Sequence, residues 1–167
     1  MKKIQFLKIA CVSLILISMS CKKAEEAPVE ASKPAFDLAT AKTEIEARHR
    51  AFEKAFNEKD SVALADCYAI DAKFMNPNDK SVEGRPAIQK TFGQWFKGDT
   101  PNIKINLVEL WGDENILTAE DAWTMTGKDG KVVDEGKSIE VYKMEDGKWK
   151  YIRDCYNSNM PAMPAKK

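Results

Sequence analysis

The spacing of apolar residues changes once along this chain, and that change constrains the fold more than any other feature. Before Gly98 the apolar residues recur with the helical period of 3.6, as at Ile88, Phe92 and Trp95. After Gly98 they alternate with the period of two that is typical of half-buried strands, starting at Ile103. Helices followed by a run of strands predict an α+β fold, with the helices packed on one face of a curved antiparallel sheet.

The N-terminal half of this pattern predicts three helices and one short strand. The first helix covers residues 38–58 and the second covers residues 61–68, where Asp60 can cap the free backbone N–H groups. A short strand follows at residues 72–76. The third helix opens at Pro86, because proline suits the first helical turn.

The C-terminal half predicts four strands joined by short turns, which is an antiparallel meander. Asp146 and Gly147 form the strongest hairpin signal in the chain. Val108 and Leu110 alternate out of phase with the residues before them, so a β-bulge is expected near Leu107. The predicted strands cover residues 103–110, 116–126, 132–144 and 149–157.

The first 39 residues predict export and tethering. Residues 1–20 have a basic start and an apolar run that is shorter than the roughly 20 residues a membrane span needs, so they fit a signal peptide. Small residues precede Cys21, an arrangement that resembles the lipobox of bacterial lipoproteins and implies a lipidated cysteine; a plain signal peptide is the alternative. Residues 21–39 predict a flexible tether, residues 40–159 a folded domain and residues 160–167 a loose tail.

The charge balance narrows the possible partners. The chain has 26 basic and 26 acidic residues, so a nucleic-acid partner is not expected. The predicted location is the bacterial cell envelope, with the domain lipid-anchored and periplasmic or surface-facing. With one histidine and no Cys-x-x-Cys spacing, neither a metal site nor another cofactor is expected. Whether Cys67 and Cys155 form a disulfide is left open by the sequence.

Five motifs in the predicted domain resemble a known family. They are F-x-x-A-F-N-E-K-D, L-A-D-C-Y-A-I-D-A-K-F-M-N-P-N, E-G-R-P-A-I, G-K-S-I-E-V-Y and D-G-K-W-K-Y-I-R-D-C-Y-N-S. In this order they are similar to the SnoaL-like proteins of the nuclear transport factor 2-like superfamily, which has ketosteroid isomerases as distant members. The resemblance covers residues 41–159 and implies a cone, in which three N-terminal helices close a curled sheet around an apolar cavity. It does not select a function, because the superfamily holds enzymes, binding modules and assembly domains.

Three residues are candidates for proton transfer. His49 is the only histidine and lies in the apolar stripe of the first helix, either as a packed core residue or as a pocket residue with a suitable pKa. Strict alternation in the last strand puts Asp154 on the face opposite Tyr151, and the resemblance to the isomerases favours the Asp154 face as the cavity face. Burial there would raise the Asp154 pKa. Glu140 lies where the resemblance places the protonated acid of the isomerases.

Two further positions argue against ketosteroid isomerase chemistry. By the same resemblance, Asn76 stands at the position of the isomerases' catalytic aspartate, and an amide cannot accept a proton at neutral pH. Phe52 stands at the position of the tyrosine that stabilises the oxyanion. The remaining candidates are expected to line a ligand pocket. The full ligand-binding set is Phe52, Tyr68, Met75, Asn76, Trp95, Trp123, Tyr142, Ile152 and Tyr156.

The sequence therefore predicts an exported, membrane-tethered domain that binds a small, largely apolar molecule without ketosteroid isomerase chemistry. The alternative is an enzyme that uses Asp154 with His49 or Glu140 as acid and base for isomerisation, hydration or hydrolysis of a small organic molecule. A third hypothesis is an assembly module that forms a homodimer through the outer face of its sheet.

Overall fold

The computed structural model of the protein describes residues 35–161, which form three helices and six strands. The helices are α1 (Leu38–Asn57), α2 (Ser61–Ala65) and α3 (Arg85–Trp95). The strands are β1 (Tyr68–Met75), β2 (Val82–Glu83), β3 (Asn102–Gly112), β4 (Ile116–Thr126), β5 (Val132–Glu145) and β6 (Lys148–Ser158). The predicted signal peptide, Cys21, most of the predicted tether and most of the predicted tail lie outside the described residues.

All six strands join one sheet in the order β2-β1-β6-β5-β4-β3. The predicted meander is confirmed, because β3 to β6 pair antiparallel with their neighbours in sequence. The predicted bulge is also confirmed by a register shift between Leu107 and Glu109. Bulges bend strands, so this antiparallel-dominated sheet curves around the helices. The sequence analysis missed the parallel pairing of β1 with β6, because no pattern of residues close in sequence indicates it.

Helix α1 follows the predicted stripe and fixes one side of the fold. It begins at Leu38, inside the predicted tether, because the Asp37 side chain accepts hydrogen bonds from the backbone N–H groups of Ala39 and Thr40. At its other end the Asn57 amide bonds both backbone groups of Ile103, at 2.7 and 3.1 Å. These bonds hold α1 across the edge strand β3.

The second predicted helix is too long in the sequence analysis. Helix α2 ends at Ala65, and its five residues are followed almost at once by β1, which begins at Tyr68. The reason is tertiary, because the backbone N–H of Tyr151 in β6 donates to the carbonyl of Cys67 at 3.0 Å. Pairing with β6 thus replaces the last predicted helical turn. Strand β2, which was not predicted, pairs antiparallel with the end of β1.

A bulge in β6 overturns the strict alternation predicted for the last strand. Val141 pairs with Arg153 and Tyr142 pairs with Tyr151, so Ile152 is an extra residue on β6. The inserted residue restores Tyr151 to the same face as Asp154, and both side chains are buried. The bulge therefore brings a tyrosine and an aspartate, which the sequence analysis placed on opposite faces, to the same interior.

The two cysteines of the described region are both free. Cys67 is buried, and the Arg48 guanidinium donates to its Sγ at 3.9 Å, whereas Cys155 is exposed on the sheet. The disulfide that the sequence left open is therefore not formed. Among residues 35–161 no helix combines the length and the apolar composition that crossing a bilayer requires.

Candidate active site: an acid-lined aromatic cavity

A cavity lies between helices α1 and α3 and the inner face of the sheet. Its enclosed volume is about 50 Å³, and the empty space between its walls, counted out into the open solvent at its mouth, is about 480 Å³. Most of the wall is aromatic, with Phe52 from α1, Trp95 from α3 and Trp123 from β4. A wall of this kind suits a small molecule with an apolar body, and a few polar groups then fix its orientation.

Asp154 is the polar group held most firmly on this wall. It is 6% exposed, and the Tyr68 hydroxyl donates a hydrogen bond to its Oδ2 at 2.5 Å. Burial raises the pKa of Asp154 to about 6. The hydrogen bond from Tyr68 opposes this rise, and the charge of Asp121 adds to it. Asp154 can therefore exchange a proton near neutral pH.

Glu140 lies directly opposite Asp154 on the neighbouring strand β5. It is 5% exposed and lines the same cavity. Burial raises the pKa of Glu140 well above its ordinary value, and the hydrogen bond and charge of Asp121 and the charge of Asp154 add to the effect. A hydrogen bond with Ser138 partly offsets this shift. The protonated form of Glu140 is therefore favoured next to Asp154.

Asp121 on β4 completes a group of three buried carboxyls on three adjacent strands. Its exposed fraction is 1%, and its carboxyl oxygens find no donor with good hydrogen-bond geometry among residues 35–161. The closest basic group is the imidazole of His49, whose Nε2 lies 3.0 Å from Asp121 Oδ2 and 2.9 Å from the Tyr142 hydroxyl. His49 thus lies behind Asp121, and Tyr142 in turn holds His49; Asp121 lies close enough to Glu140 to raise the Glu140 pKa.

The sequence analysis missed Asp121, although a signal was present. Strict alternation in β4 places Leu117, Ala119, Asp121 and Trp123 on one face, and the other three are apolar. A lone carboxylate in a buried apolar row is unusual, because isolated buried charges are costly. That pattern marks Asp121 as a buried polar residue.

The structure divides the predicted site residues into two groups. The cavity wall contains Phe52, Trp95, Trp123, Glu140, Asp154 and Tyr156. His49, Tyr68 and Tyr142 are fully buried behind that wall: Tyr68 bonds to Asp154, and His49 and Tyr142 bond to each other. Met75, Asn76 and Ile152 also lie off the wall.

His49 therefore does not converge with Asp154 on one ligand, as one version of the enzyme hypothesis required. The wall residue that strict alternation excluded is Tyr151, which the bulge at Ile152 turns inward. Phe74 from β1 and Phe92 from α3, which the sequence analysis did not select as site residues, also line the cavity. Among residues 35–161 no three His, Cys, Asp or Glu side chains are arranged to hold a metal ion.

The comparisons with known proteins agree with this architecture. A family model described as the SnoaL-like domain matches residues 49–152, which is more than half of the 167 residues. The chain belongs to the SnoaL-like domain family. No match to a curated protein sequence was found.

Several solved structures share the fold at low sequence identity. A ketosteroid isomerase-like protein from Erwinia carotovora atroseptica is 22% identical, with a TM-score of 0.59 over 71% of this chain and 96% of that one. A nuclear transport factor 2-like protein with a cystatin-like fold from Novosphingobium aromaticivorans is 14% identical, with a TM-score of 0.66 over 75% and 86%. A protein of unknown function from Nostoc punctiforme is 16% identical, with a TM-score of 0.67 over 75% and 96%. At these identities the likeness shows the fold and carries no function.

Proposed function

We propose that this SnoaL-like domain is an acid–base catalyst, which binds a small, largely apolar molecule in its aromatic cavity and moves a proton to or from it with Asp154. The observation that carries the proposal is the pairing of Asp154 with Glu140 across β5 and β6, on the wall of one cavity. Two buried carboxyls side by side, both with raised pKa values, are suited to share the roles of base and acid.

The geometry supports a division of labour between the two carboxyls. Above a pH of about 6, Asp154 is ionised and can take a proton from a bound molecule or from a water beside it. The Tyr68 hydroxyl holds one of its oxygens, so the other is free to face the cavity. Burial favours the protonated form of Glu140, which can serve as hydrogen-bond donor or acid. These roles fit isomerisation, hydration or hydrolysis.

The chemistry proposed here differs from that of a ketosteroid isomerase. Phe52 lies on the cavity wall but offers no hydroxyl to an oxyanion. Asn76, at the position of the isomerases' base, follows the end of β1 and lies off the wall. In this proposal the base is Asp154 on β6, so a proton is taken from a different side of the cavity.

The proposal is tested by finding the ligand and then measuring proton transfer. Native mass spectrometry of the domain purified from its own host identifies a co-purifying molecule. Proton NMR in heavy water then follows solvent exchange or turnover of that molecule. General acid–base groups contribute about 10²- to 10⁴-fold, so D154N is expected to slow turnover of the bound molecule by that factor. Full activity in D154N would refute the role of Asp154.

A second candidate function is binding without turnover. The hydrogen bond from Tyr68 to Asp154 favours this function, because a carboxylate held in one position is a good anchor for a ligand. In this case the co-purified molecule would bind but remain unchanged in both the native protein and D154N. The heavy-water experiment therefore separates the two functions.

The membrane anchor and the oligomeric state are separate from the chemistry of the cavity. We propose from the sequence that Cys21 carries a lipid anchor that holds the domain at the cell envelope; C21A should then move the protein from the membrane fraction to the soluble fraction.

We also propose that the outer face of the sheet, where Ile139 is 43% exposed, forms a homodimer. Light scattering that shows dimer for the native domain and monomer for I139K would support it, and a native monomer would refute it.

A further inference from the structure

We propose that the ligand of this cavity is a small organic cation, a protonated amine on an aromatic or alicyclic body, with the amine at Asp154 and the body between the aromatic rings. This inference depends on the proposed function only in assigning the ligand to this cavity.

The first observation is the one-sided charge of the wall. Among the described residues, the cavity wall carries two carboxyls, Asp154 and Glu140, and no lysine, arginine or histidine. Asp121 adds a third carboxyl next to Glu140. The nearby base, His49, lies 3.0 Å from Asp121 and not on the wall. A buried carboxylate without a counter-charge is unfavourable, and a cationic ligand would supply the missing charge.

The second observation is hydrogen-bonding capacity that the protein leaves unused. Glu140 Oε2 has no partner in the described part of the chain, and neither has Trp123 Nε1. Both residues are more than nine-tenths buried, and both line the cavity. Buried polar atoms are almost always paired, so Glu140 Oε2 points to a ligand with a hydrogen-bond donor, whereas Trp123 Nε1 is itself a donor and would need an acceptor atom on the body of the ligand. An ammonium has three N–H donors, and the carboxyl oxygens of Asp154 and Glu140 can accept hydrogen bonds from them.

The third observation is the aromatic surround of the carboxyls. Tyr156 lies beside Asp154 on β6 and makes ring contacts on two sides, at 5.9 Å to Trp123 and at 5.8 Å to Phe74. The Phe74 ring in turn contacts the Trp95 ring, with 5.6 Å between the two ring centroids. The face of an aromatic ring attracts cations, with tryptophan the strongest, and the attraction grows when water is excluded. Rings and carboxylates therefore favour the same sign of charge.

Other ligand classes fit these observations less well. An anion would meet the carboxyls with no cation on the wall to offset the repulsion. A neutral ketone or alcohol could accept a proton from Glu140 and fill the apolar space, but it would leave the Asp154 charge uncompensated. An amine is the ligand class that compensates the Asp154 charge, donates to the unpaired Glu140 oxygen and binds to the aromatic rings.

The test compares three probes that share one ring and differ in charge. Benzylamine is the cation, benzyl alcohol the neutral molecule and benzoate the anion, and their binding to the native domain is measured by calorimetry and tryptophan fluorescence. We expect benzylamine to bind about tenfold or more tightly than benzyl alcohol, which is the ratio that one hydrogen bond between an ammonium and the Asp154 carboxylate supplies. Benzoate should bind weakest.

Two variants make the comparison specific. In D154N the preference of benzylamine over benzyl alcohol should fall to about onefold, because the amide keeps the shape and removes the charge. The matched control is D71N, because Asp71 is an exposed acid of β1 that pairs with Lys143. D71N should leave the preference unchanged.

The preference should also depend on pH. Benzylamine affinity is expected to fall as the pH drops through about 6, because Asp154 then becomes protonated. The titratable groups that face Asp154 are Tyr68 from β1, Tyr156 from β6, Glu140 from β5 and Asp121 from β4, with His49 of α1 behind Asp121. α3 contributes aromatic rings to the wall and no charge.

Each outcome bears on one proposal or both. Equal or tighter binding of benzyl alcohol or benzoate would overturn the amine inference and leave the aromatic binding pocket standing. A cation preference that survives in D154N would overturn the placement of the amine at Asp154. If none of the three probes binds to the folded domain, the cavity does not accept a ring of this size, and both the amine inference and the proposed function are overturned.

Discussion

Replacing Asp154 with asparagine should stabilise the folded domain at neutral pH, and the size of this effect follows from the structure. Burial raises the pKa of Asp154 from 3.8 to about 6. The folded state therefore binds this proton more tightly than the unfolded state does. The contribution of Asp154 to stability is fully present below pH 3.8 and is lost as the pH rises through about 6.

The magnitude comes from the pKa difference. A shift of one unit corresponds to about 1.4 kcal/mol, so the loss over the whole window is about 3 kcal/mol in unfolding free energy. Asparagine has nearly the shape of a protonated aspartate, and its oxygen can still accept the Tyr68 hydrogen bond. The stability advantage of D154N over the native domain should therefore grow by about 3 kcal/mol from acid to neutral pH.

Urea denaturation of both proteins across this pH range measures the effect directly. The control is D71N: Asp71 is exposed, and its pKa is lowered by its hydrogen bond with Lys143, so its removal should not produce a gain that grows with pH. A D154N advantage that is independent of pH, or that shrinks as the pH rises, would refute the claim that burial controls this carboxyl.

Three other changes test neighbouring parts of the site. A Cβ on Gly136 would lie 2.2 Å from the Trp123 ring, so G136A should displace the indole, change its fluorescence and cost about 1–3 kcal/mol in urea denaturation; unchanged fluorescence would contradict the packing. The Y68F variant removes the hydrogen bond that lowers the Asp154 pKa, so that pKa should rise above about 6 in a carboxyl NMR titration, and a fall would contradict the assignment. E140Q should leave the domain folded and remove the infrared band of a protonated carboxyl at neutral pH; a band that persists would place that proton elsewhere.

Much of the fold could be predicted from local sequence patterns. The helical stripe of α1, the position of Pro86 and the Asp146-Gly147 hairpin are each determined by residues close in sequence. The end of α2 could not be predicted, because it depends on Tyr151, which bonds to Cys67 from a strand far along the chain. Local propensity loses to such long-range hydrogen bonds.

The candidate site was less accessible to sequence reasoning. Asp154 and Glu140 were identified from their place in the motifs, and both lie on the cavity wall. Tyr151 was assigned to the wrong face, because a bulge at Ile152 leaves no clear signature in a strand this rich in aromatic and charged residues. The fold of the sheet, rather than any motif, brings Asp121 next to Glu140.

The most direct measurement for the whole account is the titration of the Asp154 carboxyl in the folded domain. Carbon-13 NMR of aspartate side chains, with D154N to assign the signal, gives its pKa without a known ligand. The account predicts a midpoint at about 6. A midpoint at or below the ordinary value of 3.8 would mean that Asp154 is ionised and solvated like a surface acid, and the proposed proton transfer would have no base.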